Sequence, residues 1–186
     1  MNELFRRMLA LPPQASSVAR EIDTLHFILI SVSVLGWLAV LSASIWFVVR
    51  GRRGRAAQAA SARGKSVPVW LEFVVILGLL GGFCGVWVFG HAQYVRLRTP
   101  PDDSLDVYVV AKQWMWQYAY PDGTASQRDL VVPAQRPVRL LMTSRDVVHS
   151  FFVPAFRIKQ DVVPGRMTVA WFRATRPGSY ALFCTE

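Results

Sequence analysis

Two stretches of the chain carry no polar rhythm. From Leu25 to Val49 ("LHFILISVSVLGWLAVLSASIWFVV") no Asp, Glu, Lys or Arg occurs, and from Val67 to Gly90 ("VPVWLEFVVILGLLGGFCGVWVFG") the only formal charge is Glu72. As a helix rising about 1.5 Å per residue, each is about 36 Å long, enough to cross a hydrocarbon layer of about 30 Å. A helix on the surface of a soluble protein would show a polar stripe. The pattern therefore predicts two membrane-spanning helices, over residues 24–49 and 67–92, joined as a hairpin.

Beyond about Asp102 the pattern becomes alternating. Pro100, Pro101, Asp102 and Asp103 mark a linker, taken as 93–103, and from 104 to 186 short apolar–polar runs are separated by Pro, Gly and Asp. In "DVYVVAKQWMWQYAY" the even positions Tyr108, Val110, Trp114, Trp116, Tyr118 and Tyr120 are expected on one strand face, and "PDG" at 121–123 is a turn signal. "RDLVVP", "RPVRLLMTS", "MTVAWFRAT" and "GSYALFC" are further strand candidates. Five or more short strands in about 85 residues predict an antiparallel sandwich or barrel. The expected fold class is a membrane α-helical hairpin followed by an all-β sandwich.

Charge orients this arrangement. Segment 1–23 balances Arg6, Arg7 and Arg20 against Glu3, Glu21 and Asp23, whereas the connector 50–66 holds Arg50, Arg52, Arg53, Arg55, Arg63 and Lys65 with no acid. The excess of Lys and Arg places the connector in the cytoplasm, with both termini and the β-domain on the other side. Much of the net charge of +9 is thus a topology signal that requires no nucleic-acid partner. "MNELFRRMLALPPQASS" lacks the apolar core and cleavage site of a signal peptide, so the first span is expected to remain. Cys84 in the second span and Cys184 in the β-domain are not expected to pair.

Candidate chemistry is sparse. His26 and His91 flank the spans and read as interfacial residues. His149, in "SRDVVHSFFVPAF", would on its own be a hydrogen-bonded core residue, and Cys184 a small buried hydrophobe. Together with Glu186 they suggest a soft-ligand metal site, because imidazole plus thiolate selects copper in electron-transfer β-sandwiches. The aromatic run either fills the core or provides an electron entry path. Glu72 either faces a partner or water path within the membrane or reaches out to the cytoplasmic boundary.

Three stretches carry a resemblance: "AKQWMWQYAYPDG", "SRDVVHSFFVPAFRIKQDVVPGR" and "RPGSYALFCTE". With the two spans they resemble subunit II of the haem–copper cytochrome c oxidases over nearly the whole chain. The resemblance implies a cupredoxin-type domain over 104–186 and a binuclear copper centre, CuA, accepting electrons from a soluble, tethered or fused cytochrome c. Electrons would pass to haem in subunit I, where oxygen is reduced and protons are pumped. Two coppers bridged by two thiolates share the added electron, and a stiff β-scaffold preserves their geometry.

On that resemblance His149 is an imidazole ligand and Cys184 a bridging thiolate. Glu186 gives its backbone carbonyl to copper and its carboxylate to Mg²⁺ at the subunit I interface. Trp114 is where electrons enter, and Glu72 lies at the mouth of a proton channel. Other oxidase subunits, membrane lipid and a bacterial-type cell membrane, with the β-domain periplasmic, are implied too. The family loop C-x-E-x-C-x3-H-x2-M is followed as far as its Glu, so the CuA domain is expected to be incomplete at its C-terminus. "FVVILGLL" replaces the family's I-W-T-x-x-P after the Glu, and residues 94–186 hold 12 basic and 8 acidic side chains, pointing to an acidic or membrane-tethered donor. A copper-free structural subunit, as in quinol oxidases, and a mononuclear His149–Cys184 site are the alternatives; His149, Cys184 and Glu186 in matching positions favour the CuA reading.

Overall fold

The all-apolar and the alternating stretches fall into separate units in the structure, a computed structural model that describes residues 2–51 and 68–186. One unit is His26–Gly90; the other joins Met1–Leu25 to His91–Glu186. From residue 52 onward the basic connector lies outside the described residues.

Helix α1 covers Asn2–Met8, α2 Ala19–Gly51 and α3 Val69–Arg98. The two long helices extend past their apolar stretches, α2 at its start and α3 at its end. Acids sit in their first turns (Glu21, Glu72) and bases in their last (Arg50; Arg96 and Arg98). These are the signs that the partial charges at helix ends favour. Within His26–Gly90 large apolar side chains such as Trp37 and Val40 on α2, and Leu79 and Phe83 on α3, are exposed. Such a surface is stable only against hydrocarbon or another apolar face.

Eight strands follow: β1 Leu105–Lys112, β2 Met115–Ala119, β3 Ala125–Ser126, β4 Pro137–Ser144, β5 His149–Val153, β6 Ile158–Val162, β7 Thr168–Arg173 and β8 Phe183–Cys184. They form two sheets, ordered β3-β2-β1-β4-β7 and β6-β5-β8. Val107, Val109, Tyr118, Leu140, Met142 and Phe172 of the first sheet and Phe151, Val153 and Val162 of the second belong to one buried core. The sandwich is as expected, but its interior wiring differs in three respects.

The run from Asp106 to Tyr120 is a hairpin rather than one strand. Lys112 pairs with Met115 around a turn at Gln113–Trp114, so Ala111 faces Trp116 and Val109 faces Tyr118. Directly opposed residues share a sheet face. The two-residue turn therefore joins odd positions of β1 to even positions of β2. Val107, Val109 and Ala111 point inward with Tyr118, while Tyr108 is half exposed and Trp114, at the turn, is 92% exposed.

The first sheet is also mixed, because β1 runs parallel to β4, from Leu105↔Val138 to Ala111↔Ser144. The connection between them includes "RDLVVP", which forms no strand. There the Val131 N–H donates to Tyr120 Oη (2.8 Å), and Leu130 and Val132 pack on the core. Finally, "GSYALFC" is irregular up to its last two residues, whereas "HSFFV" and "IKQDV" supply β5 and β6.

Residues before α2 are built into the sandwich. The Ala15 N–H donates to Ala155 O (2.9 Å), the Thr175 N–H to Ala15 O (2.9 Å) and the Ser17 N–H to Arg173 O (3.0 Å). Ser16 Oγ donates to Phe156 O (2.8 Å) and accepts the Ala19 N–H (3.1 Å), capping α2. Asp23, one turn further on, is 3% exposed. Its carboxylate accepts from Arg157 Nε (2.7 Å), Arg157 Nη2 (3.0 Å) and Gln14 Nε2 (2.7 Å).

Candidate metal centre

His149 opens β5 and Cys184 closes β8. The antiparallel pairs Phe151↔Cys184 and Phe152↔Phe183 bring them together across 35 residues of sequence. His149 Nδ1 lies 3.9 Å from Cys184 Sγ. The Ser150 N–H points at the same sulfur (3.5 Å), and Sγ is 3.5 Å from Glu186 O. An imidazole nitrogen, a thiol and a backbone carbonyl thus converge on one place at the sheet end. Cys184 is exposed rather than a buried filler.

The other face of the imidazole is fixed. His149 Nε2 is 2.7 Å from Asp146 Oδ1, which also accepts the Val147 N–H (2.7 Å). Asp146 Oδ2 accepts the Gln113 N–H (2.7 Å). Trp116 meets the imidazole edge-on at 6.0 Å and the Phe151 ring at 5.6 Å. Only 8% of His149 is exposed, and Asp146 and Trp116 together hold its ring beside Cys184. Nε2–H donating to Asp146 leaves the Nδ1 lone pair directed at the sulfur, the carboxylate–histidine arrangement found behind metal ligands.

Electrostatics follow from these contacts. Hydrogen bonds from His149, and then from the Gln113 and Val147 backbone, hold the Asp146 carboxyl far below the usual carboxylate range. Burial pushes the His149 imidazole down, but Asp146 and Cys184 outweigh it and its pKa is raised. Burial likewise opposes ionisation of Cys184, yet the Ser150 N–H, the Glu186 backbone and His149 lower the thiol. Both donors are thereby biased toward ionic forms that attract each other in the absence of a metal.

The donor set fits copper. Sulfur and imidazole nitrogen are the ligand types that it prefers over magnesium or calcium. Their 3.9 Å separation can be spanned by one ion at typical reaches of about 2.3 Å to sulfur and 2.0 Å to nitrogen. Among the described residues, no three His, Cys, Asp or Glu side chains gather as a metal cluster. The Glu186 carboxylate lies 3.9 Å from Lys159 Nζ, which is 4.0 Å from Asp161 Oδ1.

Trp114 caps the β1–β2 turn with its indole in solvent, and the neighbouring Gln113 N–H reaches Asp146. One carboxylate therefore holds both the turn and the imidazole. Glu72 belongs to the other unit, exposed in the first turn of α3. Sequence reasoning missed Asp146, Trp116 and Ser150. The D-x-x-H spacing in "SRDVVHS" was a usable signal for Asp146; that for Trp116 appears only once the hairpin turn is located.

Comparisons with known proteins converge on one family. A family model described as "Cytochrome C oxidase subunit II, periplasmic domain" matches residues 124–186. "Cytochrome c oxidase subunit 2" of Thermostichus vulcanus is 28% identical over 95% of this chain and 69% of its own length. "Probable cytochrome c oxidase subunit 2" of Rickettsia felis is 27% identical over 94% of this chain and 61% of its own length. Among solved structures, the periplasmic domain of subunit II of cytochrome oxidase of Bradyrhizobium japonicum aligns with a TM-score of 0.45 and 32% identity, covering 47% of this chain and 76% of that one.

Proposed function

The chain belongs to the cytochrome c oxidase subunit II family, and from that premise we propose that it is the electron-accepting subunit of a respiratory oxidase. It takes electrons from a cytochrome c and passes them to haem in subunit I, where oxygen is reduced and protons are pumped. The observation that carries this reading is His149 Nδ1 facing Cys184 Sγ at 3.9 Å, with Asp146 holding the opposite ring nitrogen.

In this reading His149, Cys184 and the Glu186 carbonyl hold copper of the CuA type. Copper bound there would supply one-electron exchange. The chain's own residues account for the rest. Asp146 selects the tautomer that leaves Nδ1 free, and Trp116 and Phe151 hold the imidazole in one orientation, so the site needs little rearrangement when its charge changes. Trp114 presents an exposed aromatic face to the donor, and the Asp146 bridge keeps its turn in register with His149. Docking then depends on shape and apolar contact around Trp114 more than on an acidic face, given the basic balance of the β-domain.

The Glu186 carboxylate is assigned to Mg²⁺ at the subunit I interface and Glu72 to the entrance of a proton channel. Both rest on the family pattern. The exposed apolar helices would lie in the cell membrane against lipid and subunit I, with both termini and the β-domain periplasmic.

The test is electron paramagnetic resonance and copper analysis on the oxidase whose subunit II carries this sequence together with a full copper loop. A mixed-valence signal shared by two coppers is expected, and Cys184→Ser should abolish it while membrane insertion persists. A full copper signal in Cys184→Ser would overturn the ligand assignment.

A further inference from the structure

Where the first turn of α2, the last turns of α3 and β7 meet, the β-domain unit contains a cavity of about 480 Å³. None of the residues assigned to copper lines it. Its walls combine apolar side chains, among them Val18, Val95 and Leu97, with a charged pair, Glu21 and Arg96. Arg96 Nη1 is 3.5 Å from Glu21 Oε2, and both side chains are substantially exposed, at 71% and 49%. Trp171 closes one side, its Nε1–H donating to Arg96 O (3.0 Å). Gln93 also lines the cavity, and its Nε2 is buried with no hydrogen-bond partner among the described residues.

Depth narrows the choice of occupant. The apolar stretches run from Leu25 and to Gly90. At about 1.5 Å per residue, Glu21 is about 6 Å beyond one limit, and Gln93 and Arg96 are about 5 and 9 Å beyond the other. The polar layer on each side of a bilayer's hydrocarbon is about 5–8 Å thick. Glu21 and Gln93 therefore fall at headgroup depth and Arg96 at its outer edge, and an indole at that level is the usual membrane-interface residue.

We propose that this cavity seats the headgroup and glycerol region of a phosphatidylethanolamine-type phospholipid. Its chemistry matches the walls group by group. The phosphate faces the Arg96 guanidinium, the primary ammonium faces the Glu21 carboxylate, and an ester carbonyl gives the Gln93 amide N–H₂ the acceptor that it lacks. The apolar lining takes the glycerol and the first acyl carbons. Opposite charges side by side select a zwitterion. An anionic headgroup would leave Glu21 opposed to negative charge, and a trimethylammonium offers Glu21 no N–H to accept.

The experiment is native mass spectrometry of the full chain, in its oxidase and in detergent, titrated with phosphatidylethanolamine, phosphatidylglycerol and phosphatidylcholine of identical acyl chains, and with inorganic phosphate. One phosphatidylethanolamine per chain should bind ahead of the other two lipids, and phosphate alone should not bind. Glu21→Gln should erase the preference. Arg96→Gln should weaken binding of all three lipids about ten-fold, the size of one charge-assisted hydrogen bond. Val95→Trp, which fills the cavity and spares both charges, should reduce uptake without altering copper content. Equal binding of all three lipids, phosphate binding as tightly as lipid, or affinities unchanged in all three variants would each overturn the proposal.

Discussion

The ion pair between Asp23 and Arg157 is the most exacting test of how this β-domain is held to the start of α2. Its side chains are 4% and 12% exposed. Arg157 spends its donors on both Asp23 oxygens, on Pro12 O and on Pro154 O. Replacing Asp23 with Ala leaves a buried guanidinium without its counter-ion, which costs about 3–5 kcal/mol. In a domain of this size each kcal/mol corresponds to roughly 4–8 °C in Tm, so the midpoint should fall by at least about 10 °C.

The partner change separates lost attraction from an orphaned charge. Arg157 occupies the left-handed region (φ 57°), where a residue with a Cβ is disfavoured by about 1–2 kcal/mol and glycine is not. Arg157→Gly therefore relieves backbone strain while stranding Asp23. In the double variant Asp23→Ala with Arg157→Gly neither charge remains, and the combined loss should be smaller than the sum of the single losses by about 2–3 kcal/mol. Thermal unfolding followed by tryptophan fluorescence in detergent measures all four proteins. A single Asp23→Ala loss below about 1 kcal/mol, or strict additivity, would refute the reasoning, because either result would mean that water reaches the pair.

Three further substitutions probe the core and the site. Tyr118 Oη is buried with no hydrogen-bond partner among the described residues, and burial raises its phenol pKa. Tyr118→Phe should leave stability unchanged or raise it by about 1 kcal/mol, and should remove the part of the stability loss that Tyr118 ionisation causes in the wild type as pH rises above about 10. A loss of 2 kcal/mol or more would show a missed hydrogen bond. In copper-free protein the deficit of Asp146→Asn in a pH series of melts should be greatest between about pH 4 and 6.5. Below that window the wild type loses the contribution of Asp146, whose pKa is depressed, as the carboxyl protonates; above it, the raised pKa of His149 is passed and the charged pairing is lost. A flat deficit would contradict the pairing. Trp114→Ala, at an exposed turn, should change stability by no more than about 0.5 kcal/mol yet slow electron uptake from the donor in stopped-flow at unchanged copper content; an unchanged rate would move the entry point elsewhere.

What the sequence makes legible depends on which interactions leave a mark in side-chain periodicity. The two long helices leave a plain one, since a helix facing lipid all but excludes charge from its apolar stretch, Glu72 being the exception. β1, β4 and β7 are legible because one face of each is buried and the other is not. β5 is not: four of its five residues, His149, Ser150, Phe151 and Val153, are buried, so there is no alternation to find. The parity error in the aromatic run has a similar cause. Inserting two turn residues reverses the chain, and no count of aromatics shows where that happens. The segment from Ala15 to Ser17 joins the sandwich through backbone hydrogen bonds, to which side-chain pattern is blind, and Asp23 reads as one more charge flanking a span until Arg157 is seen against it.

The same argument explains the proposed copper site. His149 and Cys184 each carry a bland default, and 35 residues of sequence separate them. Their proximity is a property of register. Pairing Phe151 with Cys184 puts the sulfur beside the Ser150 N–H and the imidazole, whereas a slip of one residue would turn the thiol to the opposite face. Register here is set by the partly exposed Phe152–Phe183 contact (6.4 Å) and by the burial of Phe151 against Trp116. The aromatic residues next to His149 and Cys184 thus determine whether the two meet. Asp146 then adds the selection of one imidazole nitrogen, and its carboxylate also hydrogen-bonds the turn bearing Trp114. The exposed Trp114 turn and the His149 imidazole are consequently two ends of one hydrogen-bonded unit, and a change at Asp146 should disturb both together.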